Sequence, residues 1–304
     1  MEQPPQKIEK VERLKEMPKS WLALRERILD NFESKTDGLD IESVAEFMWS
    51  QGLPVTDSIF FYEEDIPQLN KTLEGFFSVE EYPSVVHRGM YLQELDLIFI
   101  ERSRELENLN GPVVSEGAFV HELAHAGNGY EEYAKRKAGI MRSRGGFGVL
   151  RSDQEDFPWG WFLEEGFAEM IRGEYMEKNR QPKELKKLCE VMKEYGISVR
   201  SGMTAGFSPD YEIAVKYAYL DSTGDIGHAE GSIAAMSLEM LCEKEPKLRQ
   251  TLIEARSDVL KLKEIPKLIN AIKPGLYVKI QKCDSTFEDF LRVKNIIKEV
   301  IQNN

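Results

Sequence analysis

The segment Val120–Gly129 (VHELAHAGNG) constrains this chain more than any other, because it contains the pattern H-E-x-x-H. Residues four apart lie on one face of an α-helix, so His121 and His125 direct two imidazole rings at one point. Two neutral imidazoles with further coordination positions open suit a zinc ion. Glu122 lies one residue along and can reach a metal-activated water without binding the metal. Such a water needs a base to accept its proton.

The alternative interpretation of the motif is two half-exposed histidines on an ordinary amphipathic helix. The flanking residues argue against it because they are apolar: Ala118, Phe119, Val120, Leu123, Ala124 and Ala126. A helix with such flanks is mostly buried, and buried polar side chains need partners, which a metal ion would supply. The chain has only four histidines, and two of them stand in this motif. We therefore expect one zinc ion at His121 and His125.

Charge and hydropathy limit the partners and the location. The chain has 40 Lys and Arg against 53 Asp and Glu, a net charge of −13. This disfavours nucleic acid and anionic membranes, since both attract basic patches. No stretch approaches about 18 consecutive apolar residues, so we expect no membrane span. The polar N-terminus does not resemble a secretory signal, and three cysteines without a C-x-x-C pair indicate reduced thiols. We therefore expect a soluble cytoplasmic protein.

The apolar pattern predicts an α+β fold. The apolar segments Ser58–Tyr62 and Leu95–Ile100 predict strands, with a helix at Ile66–Phe77 between them and the H-E-x-x-H helix after them. A polar loop at Arg142–Phe157 is either a lid over a site or a plain surface linker. Further helices are expected at Trp21–Phe32, Ile41–Trp49, Tyr130–Met141, Trp161–Tyr175, Lys183–Tyr195, Tyr211–Leu220, His228–Leu241 and Phe287–Ile301.

The two histidines need at least one more ligand. No cysteine lies in metal-ligand spacing, and no third histidine follows as in the extended motif H-E-x-x-H-x-x-G-x-x-H. A carboxylate from a later helix remains, and Trp161–Glu169 (WFLEEGFAE) supplies Glu164, Glu165 and Glu169. The alternative is that these glutamates form a solvated acidic face. The apolar neighbours argue against it: Trp161, Phe162, Phe167 and Ala168.

H-E-L-A-H followed by L-E-E-G-F-A-E resembles the gluzincin clan of zinc metallopeptidases, which includes thermolysin and the zinc aminopeptidases with an N-E-G-F-A box. The resemblance implies that Glu165, directly before Gly-Phe-Ala, is the third zinc ligand. Glu164 stands where the aminopeptidases have asparagine. In the thermolysin pattern, a carboxylate four residues after the ligand glutamate braces a histidine ligand, and Glu169, assigned to His121, has this spacing. Glu164 remains the competing ligand, because it lies about 100° from Glu165 around the helix and only one of them can face the metal.

A third segment resembles the same family more loosely. His228–Ser232 (HAEGS) is similar to the Tyr-x-x-Gly-Ala helix of the aminopeptidases, whose tyrosine donates a hydrogen bond to the oxyanion. The resemblance implies that His228 takes this catalytic role, as an imidazole does in thermolysin-like enzymes. The alternative is a surface histidine at a helix start, with Tyr211, Tyr217 and Tyr219 as the other candidates for the role.

The resemblance implies a zincin-like α+β fold in two parts. A flexible or helical lead-in at 1–19 precedes an upper subdomain at 20–128, which holds a small mixed sheet and the active-site helix. A mainly helical lower subdomain at 129–304 carries the glutamate ligand. We expect the strand Leu95–Ile100 to lie along the cleft and to pair with an extended substrate.

The function that the resemblance implies is a zinc metallopeptidase acting on a peptide or protein substrate, with Glu122 as general base. A segment of the G-A-M-E-N type, which anchors the free amine in aminopeptidases, does not occur in this sequence. An endopeptidase or a narrow-specificity peptidase is therefore favoured over an exopeptidase. Two other functions stay open. One is a non-catalytic, metal-stabilised binding or regulatory protein derived from a peptidase, and the other is a zinc hydrolase of a non-peptide amide.

Overall fold

The computed structural model describes residues 17, 19–73, 89–92, 95–126, 130–133, 142–145, 147–151, 160–199, 212–221, 227, 229–256, 258, 260–283 and 286–303. These residues form an α+β fold that is mostly helical, as the sequence predicted. The predicted sites His228 and Tyr211 lie outside the described residues.

The helices are α1 (Lys19–Asn31), α2 (Ile41–Ser50), α3 (Ile66–Leu73), α4 (Arg104–Asn110), α5 (Val113–Ala126), α6 (Trp161–Asn179), α7 (Pro182–Glu194), α8 (Ala229–Lys244), α9 (Lys247–Glu254), α10 (Ile265–Ile272), α11 (Leu276–Gln281) and α12 (Phe287–Gln302). The strands are β1 (Asp57–Tyr62), β2 (Gly89–Leu92), β3 (Leu97–Arg102), β4 (Tyr130–Tyr133), β5 (Arg142–Gly145), β6 (Gly148–Arg151), β7 (Ser198–Val199) and β8 (Glu212–Ile213). Within the part of the chain that the structure describes, no helix has the length and apolar character that crossing a membrane requires.

The chain divides into two compact units. The first comprises Met1–Ala126, Tyr175–Val191 and Tyr219–Gly227, and the second comprises Gly127–Glu174, Met192–Ala218 and His228–Asn304. The division crosses helix α6 after Glu174.

The sheet of the first unit has the strand order β1-β3-β2. Strand β1 pairs in parallel with one side of β3, and β2 pairs antiparallel with the other side. The prediction that Leu95–Ile100 pairs with a substrate is therefore wrong, because β3 is central and both of its edges bond to neighbouring strands. Among the described residues, the edge strands of this sheet are β1 and β2, and the sequence pattern did not reveal β2.

Both faces of this sheet are buried, which explains the continuous apolar runs in β1 and β3. Successive side chains of a strand point to opposite faces. On one face, Ile59 and Phe61 join a core cluster with residues of α1, α3 and the neighbouring strands. On the other face, Phe60 meets Phe119 of α5 edge to face, with ring centroids 5.2 Å apart. Helix α5 therefore packs directly on the sheet.

The second unit is organised around α8, whose side chains are buried along most of its length. Helix α12 packs against it. The rings of Phe162 in α6 and Phe290 in α12 contact each other at a tilt of 44°, with centroids 5.0 Å apart. Strands β4, β5 and β6 form an antiparallel sheet in this order, and β7 pairs in parallel with β8.

Most of the predicted helices are confirmed, but three expectations in the second unit are corrected. Residues 130–133 form strand β4 instead of the start of a helix. The predicted loop Arg142–Phe157 contains the hairpin β5–β6, which closes at the pair Gly145 and Gly148. In the described part of the predicted helix Tyr211–Leu220, residues 212–220, strand β8 is followed by a turn. Nearly all described side chains of that segment are buried, so its apolar residues do not mark one face of a helix.

Candidate metal centre

Helix α5 carries the H-E-x-x-H motif in a buried position, as the apolar flanks predicted. It follows the turn at Gly111, which adopts a positive φ of 78° and ends α4. His121 is 6 % exposed and Glu122 is 7 % exposed, while His125 is half-buried. The alternative of two half-exposed histidines on an ordinary amphipathic helix is therefore wrong, because His121 and most of the helix are buried.

The two imidazoles face each other across one helical turn. The Nε2 atoms of His121 and His125 are 3.0 Å apart, and the ring planes are inclined at 73°. Zinc holds nitrogen and oxygen ligands at about 2.0–2.2 Å in a tetrahedron, which places any two of them about 3.3–3.6 Å apart. The separation of the two nitrogen atoms is therefore close to that of two ligands on one ion.

Glu165 of α6 joins the two histidines. One ligand atom from each of His121, His125 and Glu165 lies within 4.8 Å of the other two, and Glu165 is 6 % exposed. Two imidazole nitrogens and one carboxylate oxygen suit zinc and other divalent transition metals. An adjustment of about 1 Å would bring these atoms to the separations that a tetrahedral site requires. This buried group could therefore hold a metal ion.

The carboxylate of Glu122 is fixed by strand β2. The backbone N–H of Tyr91 donates to its Oε2 at 2.9 Å. The strand approaches so closely at Gly89 that an added Cβ there would lie 2.7 Å from Oε1. With the described residues, Oε1 itself forms no hydrogen bond. Strand β2 thus holds Glu122 through one of its two carboxylate oxygens.

Glu164, the competing ligand in the sequence, has both of its oxygens engaged elsewhere. Its Oε1 accepts a hydrogen bond from Arg256 Nη1 at 2.8 Å, and its Oε2 accepts one from the backbone N–H of Phe147 at 2.8 Å. The structure therefore groups Glu165, and not Glu164, with the histidines.

Glu169 is completely buried, one helical turn after Glu165. Its Oε1 accepts a hydrogen bond from Arg172 Nη1 at 2.6 Å. This ion pair shows that the carboxylate is not part of a solvated face. The assignment of Glu169 as the brace of His121 stays a prediction.

Glu116 is a buried carboxylate next to the motif that the sequence analysis did not single out. It is 6 % exposed in α5, and its Oε1 accepts a hydrogen bond from the backbone N–H of Asp40 at 2.8 Å. Its Oε2 accepts one from the hydroxyl of Tyr175 in α6 at 2.7 Å. Burial and the bond to Glu116 raise the pKa of Tyr175 well above its usual range. The signal was present in the sequence as a single charged residue inside the apolar segment VVSEGAFV.

Two of the tyrosines considered for the oxyanion role lie in the core. Tyr217 is fully buried, and its ring occupies the space next to Gly173 of α6. Tyr219 is 2 % exposed and lies against Gly227. The role of His228 stays a prediction, because this residue lies outside the described part of the chain.

The chain was also compared with known proteins. No protein-family model, curated protein or solved structure matches it. The gluzincin resemblance therefore depends on its two short motifs, and the function has to be argued from the geometry of this site.

Proposed function

We propose that this chain is a zinc-dependent hydrolase of the gluzincin type, with a zincin-like fold, that cleaves peptide bonds. The observation that carries the proposal is the buried group of His121, His125 and Glu165, whose ligand atoms lie within 4.8 Å of one another. A purely structural zinc site usually has four protein ligands and needs no adjacent base. A group of three described ligands beside a held carboxylate, Glu122, favours catalysis.

In this proposal each side chain has a defined task. When bound, zinc supplies Lewis-acid activation of a water molecule and of the substrate carbonyl. Glu122 accepts the proton of the attacking water through Oε1, while Oε2 stays bonded to Tyr91. The water oxygen bonds to the carbonyl carbon, the C–N bond breaks, and Glu122 returns the proton to the leaving amine. His228 is the proposed donor to the oxyanion.

The position of β2 supports a peptide as the substrate. Among the described residues, this strand lies at an edge of the sheet, and it holds the proposed base through the backbone of Tyr91. Extended peptides bind to sheet edges through main-chain hydrogen bonds, which a small amide substrate cannot form in number. We therefore place the substrate chain along β2, and no longer along Leu95–Ile100.

We also propose a cellular compartment, and this part of the proposal is based on the cysteine thiols. None of Cys189, Cys242 and Cys283 forms a disulfide bond. Free thiols are typical of a reducing compartment, so we propose that the protein acts in the cytoplasm.

The test is metal analysis combined with peptide hydrolysis. The purified chain should bind one zinc ion, and anomalous scattering should locate it at His121, His125 and Glu165. Glu122→Gln should keep the zinc and lose the hydrolysis of a fluorogenic peptide library, by about 10²-fold or more. Glu46→Gln is the matched control, because Glu46 is an exposed residue of α2 and its replacement should leave both properties unchanged.

The other outcomes identify the alternatives. Zinc binding without hydrolysis of any peptide or amide would indicate a non-catalytic, metal-stabilised protein. Chelator-sensitive hydrolysis of small amides alone would indicate a non-peptide substrate. Hydrolysis that persists in Glu122→Gln at the wild-type rate would overturn the role of Glu122.

A further inference from the structure

We infer that Arg256 is a positioning residue for the proposed metal centre. By holding the carboxylate of Glu164, it fixes the rotation of α6 at which Glu165 is presented to the two histidines. The inference rests on the proposed metal centre and adds a residue to it that neither motif contains.

The guanidinium of Arg256 lies deep in the second unit. The side chain is 2 % exposed, and its Cζ lies 4.2 Å from the ring centroid of Phe147 and 4.3 Å from that of Phe167. Both distances are within the range of a cation–π interaction. Phe167 belongs to α6 and lies two residues after Glu165, so Arg256 contacts the helix beside the proposed ligand.

A second contact fixes the same turn of α6. Arg256 Nη1 and the backbone N–H of Phe147 each donate to a different oxygen of Glu164, both at 2.8 Å. Glu164 and Glu165 differ by about 100° in direction around the helix axis. Because Glu164 is held on one side, the direction of Glu165 is set as well.

The packing between α6 and α8 leaves little freedom for another arrangement. A Cβ added to Gly166 would lie 3.1 Å from the backbone carbon and oxygen of Ala234 in α8. Glycine at this position lets the two helices approach closely, and a rotation of α6 would move larger side chains into this contact. Arg256 on one side and α8 at Gly166 therefore hold the turn that carries Glu165.

The unfavourable features of Arg256 also point to a positioning role. Burial lowers the pKa of its guanidinium, and its Nε and Nη2 atoms have no hydrogen-bond partner in the described structure. Replacing a buried ion pair by apolar side chains is often neutral or stabilising. Stability alone therefore does not account for this arginine, whereas the orientation of a metal ligand does.

The chain contains a matched control for this inference. Arg249 of α9 also forms an ion pair with α6, more exposed than that of Arg256, since its Nη2 donates to both oxygens of Glu174 at 3.0 and 2.8 Å. Glu174 lies more than two helical turns beyond Glu165. Arg249→Met therefore removes an arginine–glutamate pair from the same helix at a distance from the proposed ligand, whereas Arg256→Met removes the pair beside it.

Two measurements on the full chain separate positioning from simple stabilisation. The first is the zinc dissociation constant, obtained by competition with a chromophoric chelator at a temperature where the apo protein is folded. The second is the increase in melting temperature that saturating zinc produces. Arg256→Met should weaken zinc binding about 10- to 100-fold, as changes beside metal ligands typically do. Saturating zinc should therefore raise the melting temperature of this variant by less than that of the wild type. Arg249→Met should leave the dissociation constant within about twofold of the wild-type value.

The possible results distinguish this inference from the proposed function. A wild-type chain that binds no zinc would overturn both. If the wild-type chain binds zinc and Arg256→Met binds it with the same affinity, only the positioning role is overturned. The same conclusion would follow if the substitution lowered the melting temperatures of the apo and zinc forms equally. If Arg256→Met does not fold, Glu164→Gln provides the test. This variant removes the ion pair, keeps an acceptor for Phe147, and should weaken zinc binding about tenfold or more.

Discussion

The carboxylate of Glu122 lies directly against the backbone of Gly89, although 33 residues separate them in the sequence. A Cβ at position 89 would lie 2.7 Å from Oε1 and 2.9 Å from Cγ of Glu122. Two residues on, the N–H of Tyr91 holds Oε2 at 2.9 Å. Strand β2 therefore fixes the proposed general base through its backbone, and it can do so only where no side chain intervenes.

Gly89→Ala should reduce peptide hydrolysis and leave the metal in place. The added methyl group would displace the Glu122 carboxylate, and a displacement of about 1 Å at a reacting group can lower the rate by about 10²-fold. We expect kcat to fall about 10- to 100-fold with wild-type zinc content. Steady-state kinetics and metal analysis of the same preparation would measure both quantities.

Met90→Ala is the control for this substitution. Met90 follows Gly89 on β2, and its side chain packs on the core cluster at the opposite face of the sheet. This variant should be less stable but should keep its kcat. Wild-type turnover in Gly89→Ala would contradict the role assigned to β2.

Glu165→Ala should remove a metal ligand. Zinc affinity should fall by at least about 100-fold, because two imidazoles on one helix are an incomplete set for zinc. Inductively coupled plasma mass spectrometry after dialysis against a weak chelator would give the stoichiometry. Unchanged stoichiometry in Glu165→Ala would show that another carboxylate, with Glu164 as the first candidate, binds the ion.

Tyr175→Phe should destabilise the fold, because the Tyr175 hydroxyl donates to the buried Glu116 at 2.7 Å. Removing the donor leaves an oxygen of a buried carboxylate without this partner, which costs about 1–3 kcal/mol. Urea denaturation of the apo protein would measure the free energy of unfolding. Tyr195→Phe is the control, since Tyr195 is 56 % exposed, and its effect should stay below about 0.5 kcal/mol. Equal stabilities of the two variants would contradict the role of the Glu116 bond.

The sequence predicted the parts of the site that depend on local spacing. His121 and His125 are one helical turn apart, so the backbone geometry alone brings their rings together. The strong strands and the amphipathic helices followed from their periodicity in the same way. Glu165 could be chosen over Glu164 only through a family resemblance, because both lie on the same buried turn.

The remaining parts depend on contacts between distant segments. The bond from Tyr91 to Glu122 spans 31 residues, and that from Arg256 to Glu164 spans 92. No periodicity in the sequence reports which strand lies at a sheet edge or which arginine reaches a given helix. The segment 212–220 shows the same limit, since most of its apolar residues are buried without forming a helix.

The thiols of Cys189 and Cys242 should react slowly in the native protein, because burial keeps them protonated. Burial raises the pKa of Cys242 to about 12 and also raises the pKa of Cys189, while Cys283 is buried. At pH 8, a thiol with a pKa of about 12 is ionised to about one part in 10⁴, against about a quarter for an ordinary cysteine. We therefore expect native Cys242 to react with 5,5′-dithiobis(2-nitrobenzoate) at least about 10³-fold more slowly than in urea.

Cys242→Ser distinguishes this thiol from the others. In urea, the wild-type chain should release three equivalents of thionitrobenzoate, one for each cysteine in the sequence, and the variant should release one fewer. In the native state, the two proteins should react at the same slow rate. Because the thiolate is the form that binds metals, the variant should also bind zinc as the wild type does. A rapid native phase that disappears in Cys242→Ser would show an ionised thiol, and a loss of zinc in that variant would contradict a ligand set of histidine and glutamate alone.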